Sequence, residues 1–265
     1  MEIASWNVNS VKARLPNLVQ WLKDHKPDLV CLQELKCLEE AFPRDEIEAL
    51  GYNIAIHGQK TYNGVALLSR FPLEDVTLGL PDYKDEQARY IEAIISTQTG
   101  ALRIASLYLP NGNPVEAVKG GGAKYKYKLD WMAALEAHVE NLLTYEEMFV
   151  LAGDYNVIPS AADVYNPPAW EEDALYRPDT QTAWRRLLNL GLTEAVGSLV
   201  NTGEQTYTFW DYQRGAWPKN NGIRIDHHLL SPLAADRLRG FTIDRDTRGW
   251  EKPSDHVPIR ITLDL

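Results

Sequence analysis

Short apolar runs recur along the chain, most of them bounded by Gly, Pro, Asn or Asp, and predict a protein dominated by β-strands. In chain order the runs are EIASWNV, DLVCLQE, YNIAIHG, GVALLSR, YIEAIIS, LRIASLYLP, MFVLAGD, TYTFW, RIDHHLLS and HVPIRITL. The stretch IEAIISTQTGALRIASLYL turns at Thr99 and Gly100 and predicts an antiparallel hairpin rather than a parallel crossover. The pattern therefore favours sheets that contain antiparallel pairs.

Apolar residues at helical spacing predict helices between these strands. They lie in VKARLPNLVQWLKDHKP (11–27), in KLDWMAALEAHVENLL (128–143) and in TQTAWRRLLNLG (180–191), whose final glycine suits a helix C-cap. We find no internal repeat and no linker, and the low-complexity stretch is KGGGAKYKYK (119–128). We therefore expect one domain over residues 1–265, in which helices cover mixed sheets.

Composition narrows the class of protein. The chain has 265 residues, 45% hydrophobic and 24% charged, as in a globular domain with a large core. No run is long enough to span a bilayer, and MEIASWNVNS does not resemble a signal peptide, so we expect a cytoplasmic protein without a membrane partner. Cys31 and Cys37 are expected to be buried thiols rather than a disulfide or a metal pair.

The net charge of −10 argues against broad, non-specific attraction to nucleic acid. A polyanionic substrate would have to be held by a local basic patch and a metal ion.

Acidic and amide residues stand at the ends of the predicted strands. They are Asn7 and Asn9 after the first run, Glu34 after the second, Asp154 and Asn156 in GDYN, Asp226 in RIDHH, and Asp255 with His256 in PSDH. Residues two apart on a strand share a face, so Asp154 and Asn156 can both point into one site while Tyr155 turns away. Turn capping explains any one of these positions. A single site at the strand ends explains all of them together.

These oxygen ligands, without a cysteine or histidine pair at zinc spacing, suit a hard cation such as Mg²⁺ or Mn²⁺. Glu34 is the first choice of ligand. The remaining carboxylates are then available for proton transfer and orientation.

An ordered set of motifs that spans nearly the whole chain resembles the exonuclease III branch of the endonuclease/exonuclease/phosphatase superfamily. The motifs are WNVNSVKAR, CLQELK, NGVALLSR, LYLPNG, GDYNVIP, YTFWDY, GIRIDHHLLS and PSDHVPI. Each is weak alone, and their order and spacing make the set specific. The resemblance implies an α/β fold, a four-layered sandwich of two mixed β-sheets flanked by helices as in deoxyribonuclease I, and a divalent-metal phosphodiesterase that acts on DNA.

The resemblance also implies roles for single residues. It implies a His256–Asp226 pair as general base or phosphate stabiliser, Asp154 as activator of water or proton donor to the leaving oxygen, Asn156 as donor to the scissile phosphate, and Tyr108 as a further donor. Asn7, Glu34, Asp154, Asn156, Asp255 and His256 would be on or near the metal. Whether Asp154 or His256 is the base stays open. Tyr108, followed by Pro-Asn-Gly, favours the abasic-site nucleases over the phosphatase branches.

Substrate contacts are expected in two loops. KGGGAKYKYK offers Lys119, Lys124, Lys126 and Lys128, either as phosphate contacts beside Tyr125 and Tyr127 or as a solvated face before a helix. In TFWDYQRGAWPKNNGIR, Phe209 resembles the apolar wall of a pocket for a flipped-out abasic sugar, with Trp210 or Trp217 nearby. Further candidates for DNA contact are Arg89, Arg214 and Asp255.

The chain departs from the family pattern at three positions. Ile223 stands where some relatives have a tryptophan lid. His227 and His228 replace apolar or aromatic residues, and we interpret both as structural.

The implied activity is that of a Mg²⁺-dependent DNA repair nuclease. It would cut 5′ to abasic sites, with 3′→5′ exonuclease and 3′-phosphatase activity on blocked duplex ends, and it would be a monomer. Two alternatives stay open. One is a phosphodiesterase or phosphatase for a small or lipid phosphate, favoured by the acidic charge, and the other is a DNA-binding regulator that has lost its chemistry.

Overall fold

The computed structural model describes residues 1–97, 100–115, 121–201 and 203–265. Its strands are β1 (Glu2–Asn7), β2 (Leu29–Gln33), β3 (Asn53–His57), β4 (Val65–Ser69), β5 (Glu74–Leu78), β6 (Tyr90–Thr97), β7 (Gly100–Tyr108), β8 (Met148–Asp154), β9 (Thr193–Glu194), β10 (Asp226–Leu230), β11 (Leu238–Ile243) and β12 (Ile259–Leu263). They form two six-stranded sheets, in the orders β11-β12-β1-β2-β4-β3 and β5-β6-β7-β8-β10-β9.

Both sheets are mixed. Strands β1 and β2 are parallel, as are β7 and β8, and the other paired strands run antiparallel. Each parallel pair is joined by a crossover that contains a helix, because parallel neighbours cannot be joined by a tight turn. Strands β6 and β7 form the antiparallel pair expected from the sequence, and its turn residues 98 and 99 lie outside the described part of the chain.

The α-helices are α1 (Leu15–His25), α2 (Arg44–Glu48), α3 (Gly121–Leu143), α4 (Pro178–Asn189), α5 (Ala195–Leu199), α6 (Ala216–Lys219) and α7 (Pro232–Ala235). Short 3₁₀ turns span Glu39–Ala41, Ala161–Asp163, Pro167–Trp170 and Arg245–Gly249. The described helices include none that is long and apolar enough to cross a membrane.

Apolar side chains divide the molecule into four layers. On the outer face of the first sheet, Trp21 of α1 packs with Trp6 and Val30. On the outer face of the second, α3 and α4 pack over residues such as Leu151. A third cluster, which includes Ile104, fills the space between the sheets. This arrangement confirms the predicted four-layered α/β sandwich of two mixed sheets, while a single domain over 1–265 stays a prediction.

Several local predictions differ from the structure. The run TYTFW is not a strand, because Phe209 makes only isolated bridges to Ile223 and His256. Three strands at the edges of the sheets, β5, β9 and β11, are not predicted by the apolar pattern, because they are charged, short or irregular. The lysine-rich stretch is helical from Gly121 onward rather than a loop, and Lys119 lies outside the described residues. Cys31 and Cys37 are free, buried thiols.

A buried ion network fixes the segment that leads into β10. Arg224 donates through Nε to Asp163 (2.7 Å) and through Nη1 to Glu194 (2.8 Å), and all three side chains are buried. His227 faces the same guanidinium through Nδ1 at 3.2 Å, while its Nε2 lies 3.0 Å from the carbonyl of Val157. This supports the structural interpretation of His227.

We expect Arg224→Met to lower the free energy of unfolding by roughly 3–5 kcal/mol, because it removes the guanidinium counter-charge of two buried carboxylates. Burial raises the pKa of Glu194, but Arg224 and His227 outweigh it and hold the pKa well below its usual range. The contribution of Glu194 is therefore present above its unfolded-state pKa, near 4.3, and is lost on further acidification. Urea unfolding of both proteins at neutral and acidic pH measures this.

The matched control is Arg186→Met, which removes a pair between Arg186, which is exposed, and Glu136, which is partly buried. It should change stability by less than about 1 kcal/mol. Equal effects of the two substitutions would contradict a special role for the buried network.

Candidate active site

The polar strand ends meet where the space between the two sheets opens to solvent. In the second sheet, Tyr108 of β7 is paired in register with Asp154 of β8, which is paired with Asp226 of β10. Residues paired directly across neighbouring strands lie side by side on one face of a sheet. By alternation along each strand, this face is the one that carries Ile104 and Val150 into the inter-sheet core. Asn7, at the end of β1, reaches the same place from the other sheet.

Glu34 joins the two sheets immediately after β2. Its Oε1 accepts hydrogen bonds from Tyr108 Oη and Asn7 Nδ2, both at 2.9 Å, and Asn7 Nδ2 also donates to Asp154 Oδ2 at 3.0 Å. Lys36 Nζ lies 2.7 Å from Glu34 Oε2. Burial raises the pKa of Glu34, but Lys36 and Asn7 outweigh it, so the net shift is downward and the carboxylate stays ionised.

His256 lies between two carboxylates. Its Nδ1 is 2.9 Å from Asp226 Oδ2, and its Nε2 is 3.6 Å from Asp154 Oδ2. Burial lowers the pKa of His256, yet Asp226 and Asp154 raise it to about 10. Burial raises the pKa of Asp154 to about 7, against the opposing effect of His256. The two flanking carboxylates therefore favour the imidazolium form of His256, and burial makes Asp154 a stronger base than an exposed aspartate.

Asn156 follows β8 in a left-handed backbone conformation, with φ of 48°. Its backbone N–H donates to Asp154 Oδ1 at 2.9 Å, and its Nδ2 donates to the carbonyl of Leu109, also at 2.9 Å. Asn111 Nδ2 donates to Asn156 Oδ1 at 3.1 Å. The strand thus ends at Asp154, and a turn places Asn156 in the cleft instead of the strand alternation expected from the sequence. Tyr155 turns away, as expected, into the core under α3 and α4.

Asp255 lies at the rim of the site. Its Oδ1 accepts a hydrogen bond from Asn9 Nδ2 at 3.0 Å, and Lys36 Nζ donates to Asn9 Oδ1 at 2.5 Å. Asn9 and Glu34 both have left-handed backbones, with φ of 45° and 52°. A left-handed backbone is uncommon for residues other than glycine, and here it turns both side chains toward the site.

The donor set fits a hard divalent cation. Within the described residues, Glu34, Asp154 and His256 each offer a ligand atom within 4.8 Å of the other two. The buried Asp226 Oδ1 has no hydrogen-bond partner. The ammonium group of Lys36 shows that a cation can be accommodated at Glu34. Carboxylate and amide oxygens are ligands of Mg²⁺ and Mn²⁺.

Comparison with known proteins identifies the family. A model described as the Endonuclease/Exonuclease/phosphatase family matches residues 4–256. The chain belongs to this family. Exodeoxyribonuclease III from Haemophilus influenzae is 33% identical over 266 residues, an alignment that covers 98% of each chain.

Solved structures of this family superpose closely on the chain. The 3′-5′ exonuclease NExo from Neisseria meningitidis has a TM-score of 0.93 and 38% identity, with complete coverage (100%) of both chains. A second NExo structure, bound to a product DNA hairpin, describes that protein as a 3′ phosphatase. An AP endonuclease from Archaeoglobus fulgidus has a TM-score of 0.91 and 33% identity, again covering 100% of both chains. The resemblance to exonuclease III drawn from the motifs is confirmed.

An apolar wall flanks the family's polar cluster in this chain. The ring of Phe209 lies 5.0 Å from that of His256 and lines the cleft. Phe209 is partly buried and also packs against a core cluster that includes Ile223. The cleft, of about 290 Å³, adjoins a second cavity of about 330 Å³. The two cavities share the side chains of Trp170, Phe209, Asp211 and Ile223.

The other residues proposed for DNA contact lie at different positions relative to the cleft. Arg89 and Lys124 line a groove beside Asn111, and Arg214 lines the cavity next to Phe209. Lys126 is exposed on α3 and paired with Asp130.

The two tryptophans of the loop that carries Phe209, Trp210 and Trp217, pack together on the side of the loop that faces away from the cleft. Trp210 is fully buried, and its ring packs against that of Trp217 at 5.0 Å, so Trp210 does not face the cleft. Arg245 lies 5.2 Å from both rings.

Three further residues border the site without having been predicted from the sequence: Asn111, Lys36 and Trp170. Asn111 lies in the motif LYLPNG, and Lys36 lies in the motif CLQELK. Both residues could therefore have been proposed as site residues from these motifs. Trp170 lies in a 3₁₀ turn far from any motif, and nothing in its local sequence marks it as a wall of the cleft.

We expect Asp226→Asn to lower the pKa of His256 in the metal-free protein, because it removes the largest electrostatic contribution that favours the imidazolium. The chain has 6 histidines, so the imidazole signals can be followed individually by NMR during a pH titration. An unchanged pKa of His256 would contradict the pairing with Asp226.

Proposed function

We propose that this protein is a metal-dependent DNA repair nuclease. It cuts the phosphodiester bond 5′ to an abasic site, and it removes nucleotides and phosphate from 3′ ends of duplex DNA. The observation that carries the proposal is the registered set Tyr108, Asp154 and Asp226, which faces Glu34 and His256 beside an apolar cavity. The relatives named as exodeoxyribonuclease, 3′ phosphatase and AP endonuclease support the same chemistry.

Glu34 is the principal ligand in the proposed metal site, with Asp154, Asn7 and Asp255 completing or orienting it. Asn156 and His256 line the same cleft. An imidazolium has no free nitrogen lone pair, so His256 would act beside the metal and would not bind it in that form. Mg²⁺, or Mn²⁺ in its place, would polarise the scissile phosphate and stabilise negative charge on the leaving oxygen.

Side chains of the protein would stabilise the developing charge, accept the proton of the attacking water and orient the phosphate. His256, held as an imidazolium by Asp226, donates to a non-bridging phosphate oxygen and stabilises the charge that develops there. Asp154, whose pKa burial raises to about 7, takes the proton of the attacking water. Asn156 is a neutral donor that orients the phosphate without adding charge. Tyr108 donates its one hydroxyl proton to Glu34 and thereby positions that carboxylate. We thus assign the base to Asp154 rather than to His256.

The cavity beside Phe209 is proposed as the site for the sugar. Phe209, Ile223 and Trp170 give it apolar walls, so Trp170 lies near the position where the tryptophan lid is missing. An unstacked deoxyribose without a base fits such a wall. Arg89 and Lys124, on the other side of the site, are placed to contact the DNA backbone. This local cation pair reconciles DNA binding with the net charge of −10.

A second candidate function is hydrolysis of a small or lipid phosphate, which the net charge of −10 favours. Inhibition of DNA cleavage by inositol phosphates at low concentration would support it. We further propose that the protein acts as a cytoplasmic monomer.

The direct test uses a labelled duplex with one tetrahydrofuran abasic analogue, beside blunt and 3′-phosphorylated duplexes. We expect Mg²⁺-dependent incision 5′ to the analogue, and release of phosphate and nucleotides from the ends, all abolished by EDTA. Asp154→Asn and His256→Asn should each lower kcat by at least about 10²-fold without unfolding the protein. Glu34→Gln should weaken Mn²⁺ binding measured by calorimetry.

Failure to cleave any of these duplexes would overturn the nuclease assignment. A fully active Asp154→Asn protein would overturn the assignment of the base.

A separate test concerns the sugar cavity. We expect Phe209→Ala and Trp170→Ala to lower kcat/KM on the abasic duplex by about 10-fold, since each removes an apolar wall worth roughly 1.5–3 kcal/mol when fully buried. Their effect on the 3′-phosphorylated end, which has no abasic sugar, should be smaller. The control is Tyr145→Ala, an exposed aromatic outside the cleft. Equal losses on both substrates would contradict a sugar pocket.

A further inference from the structure

Lys128 is a buried cation that the proposed chemistry does not use. It lies in α3, and its side chain is 0% exposed. Lysine is rarely buried to this extent, because the ammonium group must give up its hydration. Such a position calls for a specific partner.

The partners of Lys128 are two carbonyl groups that border the active site. Its Nζ donates to the carbonyl of Asn156 at 2.5 Å and to the carbonyl of Asn111 at 3.2 Å. The side chains of these two asparagines are hydrogen-bonded to each other and line the cleft. The ammonium group of Lys128 therefore binds the backbones of both Asn111 and Asn156 on the side away from the cleft.

The packing around the lysine stem is tight. Gly112 has φ of 89°, and a Cβ at that position would lie 2.7 Å from Lys128 Cδ and 3.1 Å from Ala174 Cβ. The turn that carries Asn111 thus rests directly on the side chain of Lys128. Asn156 has a left-handed backbone of its own, with φ of 48°, which needs support from its surroundings.

Two carboxylates near Lys128 favour its charged form, while burial opposes it. Burial lowers the pKa of Lys128 to about 7, while Asp154 and Asp173 act to raise it. Apolar packing alone does not require a lysine here, because burying an ammonium group is costly unless it makes specific hydrogen bonds. A methionine would fill a similar volume and would leave the two carbonyls without their donor.

We propose that Lys128 is a positioning residue, which fixes the amide groups of Asn111 and Asn156 for the scissile phosphate by binding their backbone carbonyls. The inference rests on the proposed nuclease function and deepens it. Misplacing a substrate-positioning group by about 1 Å can lower the rate by about 10²-fold. The expected loss is in kcat, because Lys128 is buried and does not contact DNA itself.

The main variant is Lys128→Met, assayed with Mg²⁺ on the abasic duplex. We expect kcat to fall by about 10²-fold and KM for DNA to change by less than about 3-fold. The control is Leu135→Ala, which empties a fully buried position about two turns further along α3. It should lower the thermal stability at least as much as Lys128→Met and leave kcat unchanged at temperatures where it is folded.

A second variant separates the missing donor from a damaged fold. Lys128→Ala leaves room for a small amine, so ethylammonium should restore part of kcat in a saturable manner, whereas tetramethylammonium at the same ionic strength should not. Unaltered kcat in both Lys128 variants, or an equal loss in Leu135→Ala, would overturn the proposal.

A readout that does not depend on turnover keeps the proposal testable if the wild type proves inactive on DNA. The side-chain amide NMR signals of Asn111 and Asn156, assigned by single substitution, should shift in Lys128→Met and not in Leu135→Ala. Unshifted signals would overturn the role of Lys128. Loss of wild-type cleavage with shifted signals would overturn only the nuclease function.

Discussion

The repulsion among carboxylates brought together at one end of the inter-sheet space is the constraint on which the site depends. Asp154 and Asp226 are neighbours across two strands, and Glu34 reaches them through Asn7. Buried carboxylates are stable only with hydrogen bonds or counter-charges. The surrounding residues supply both, with His256 between two of the carboxylates and Lys36 on the third. A divalent cation would meet the same electrostatic requirement.

The two-sheet architecture makes this gathering possible. Along the central strands, the face between the sheets is apolar at one end and becomes polar toward the site. The change begins at the buried and hydrogen-bonded Ser5, Gln33 and Ser106. The strands themselves are therefore held by a core of ordinary hydrophobic residues, and the costly polar groups are confined to one edge. The buried pairing of Arg224 with Asp163 and Glu194 then anchors the segment just before Asp226.

A buried cation behind the cleft also supports the site. Asn156 and Asn111 face the cleft with their amides, while Lys128 binds their carbonyls from inside the protein. Phe209 contacts His256 from the opposite side and brings an apolar surface to the polar cluster. The site thus combines fixed polar donors with an apolar wall, a combination suited to an unstacked sugar next to its phosphate.

The sequence by itself determined the central strands, the three longest helices and the polar residues at the strand ends, because alternation and helical spacing are local properties. It also determined the family, through motifs such as GDYNVIP and PSDHVPI. Only the tertiary structure decided that Tyr108, Asp154 and Asp226 stand in register, and that Lys128 is buried while Lys126 is exposed. Register and burial depend on contacts between residues far apart in the chain, and no local pattern records them.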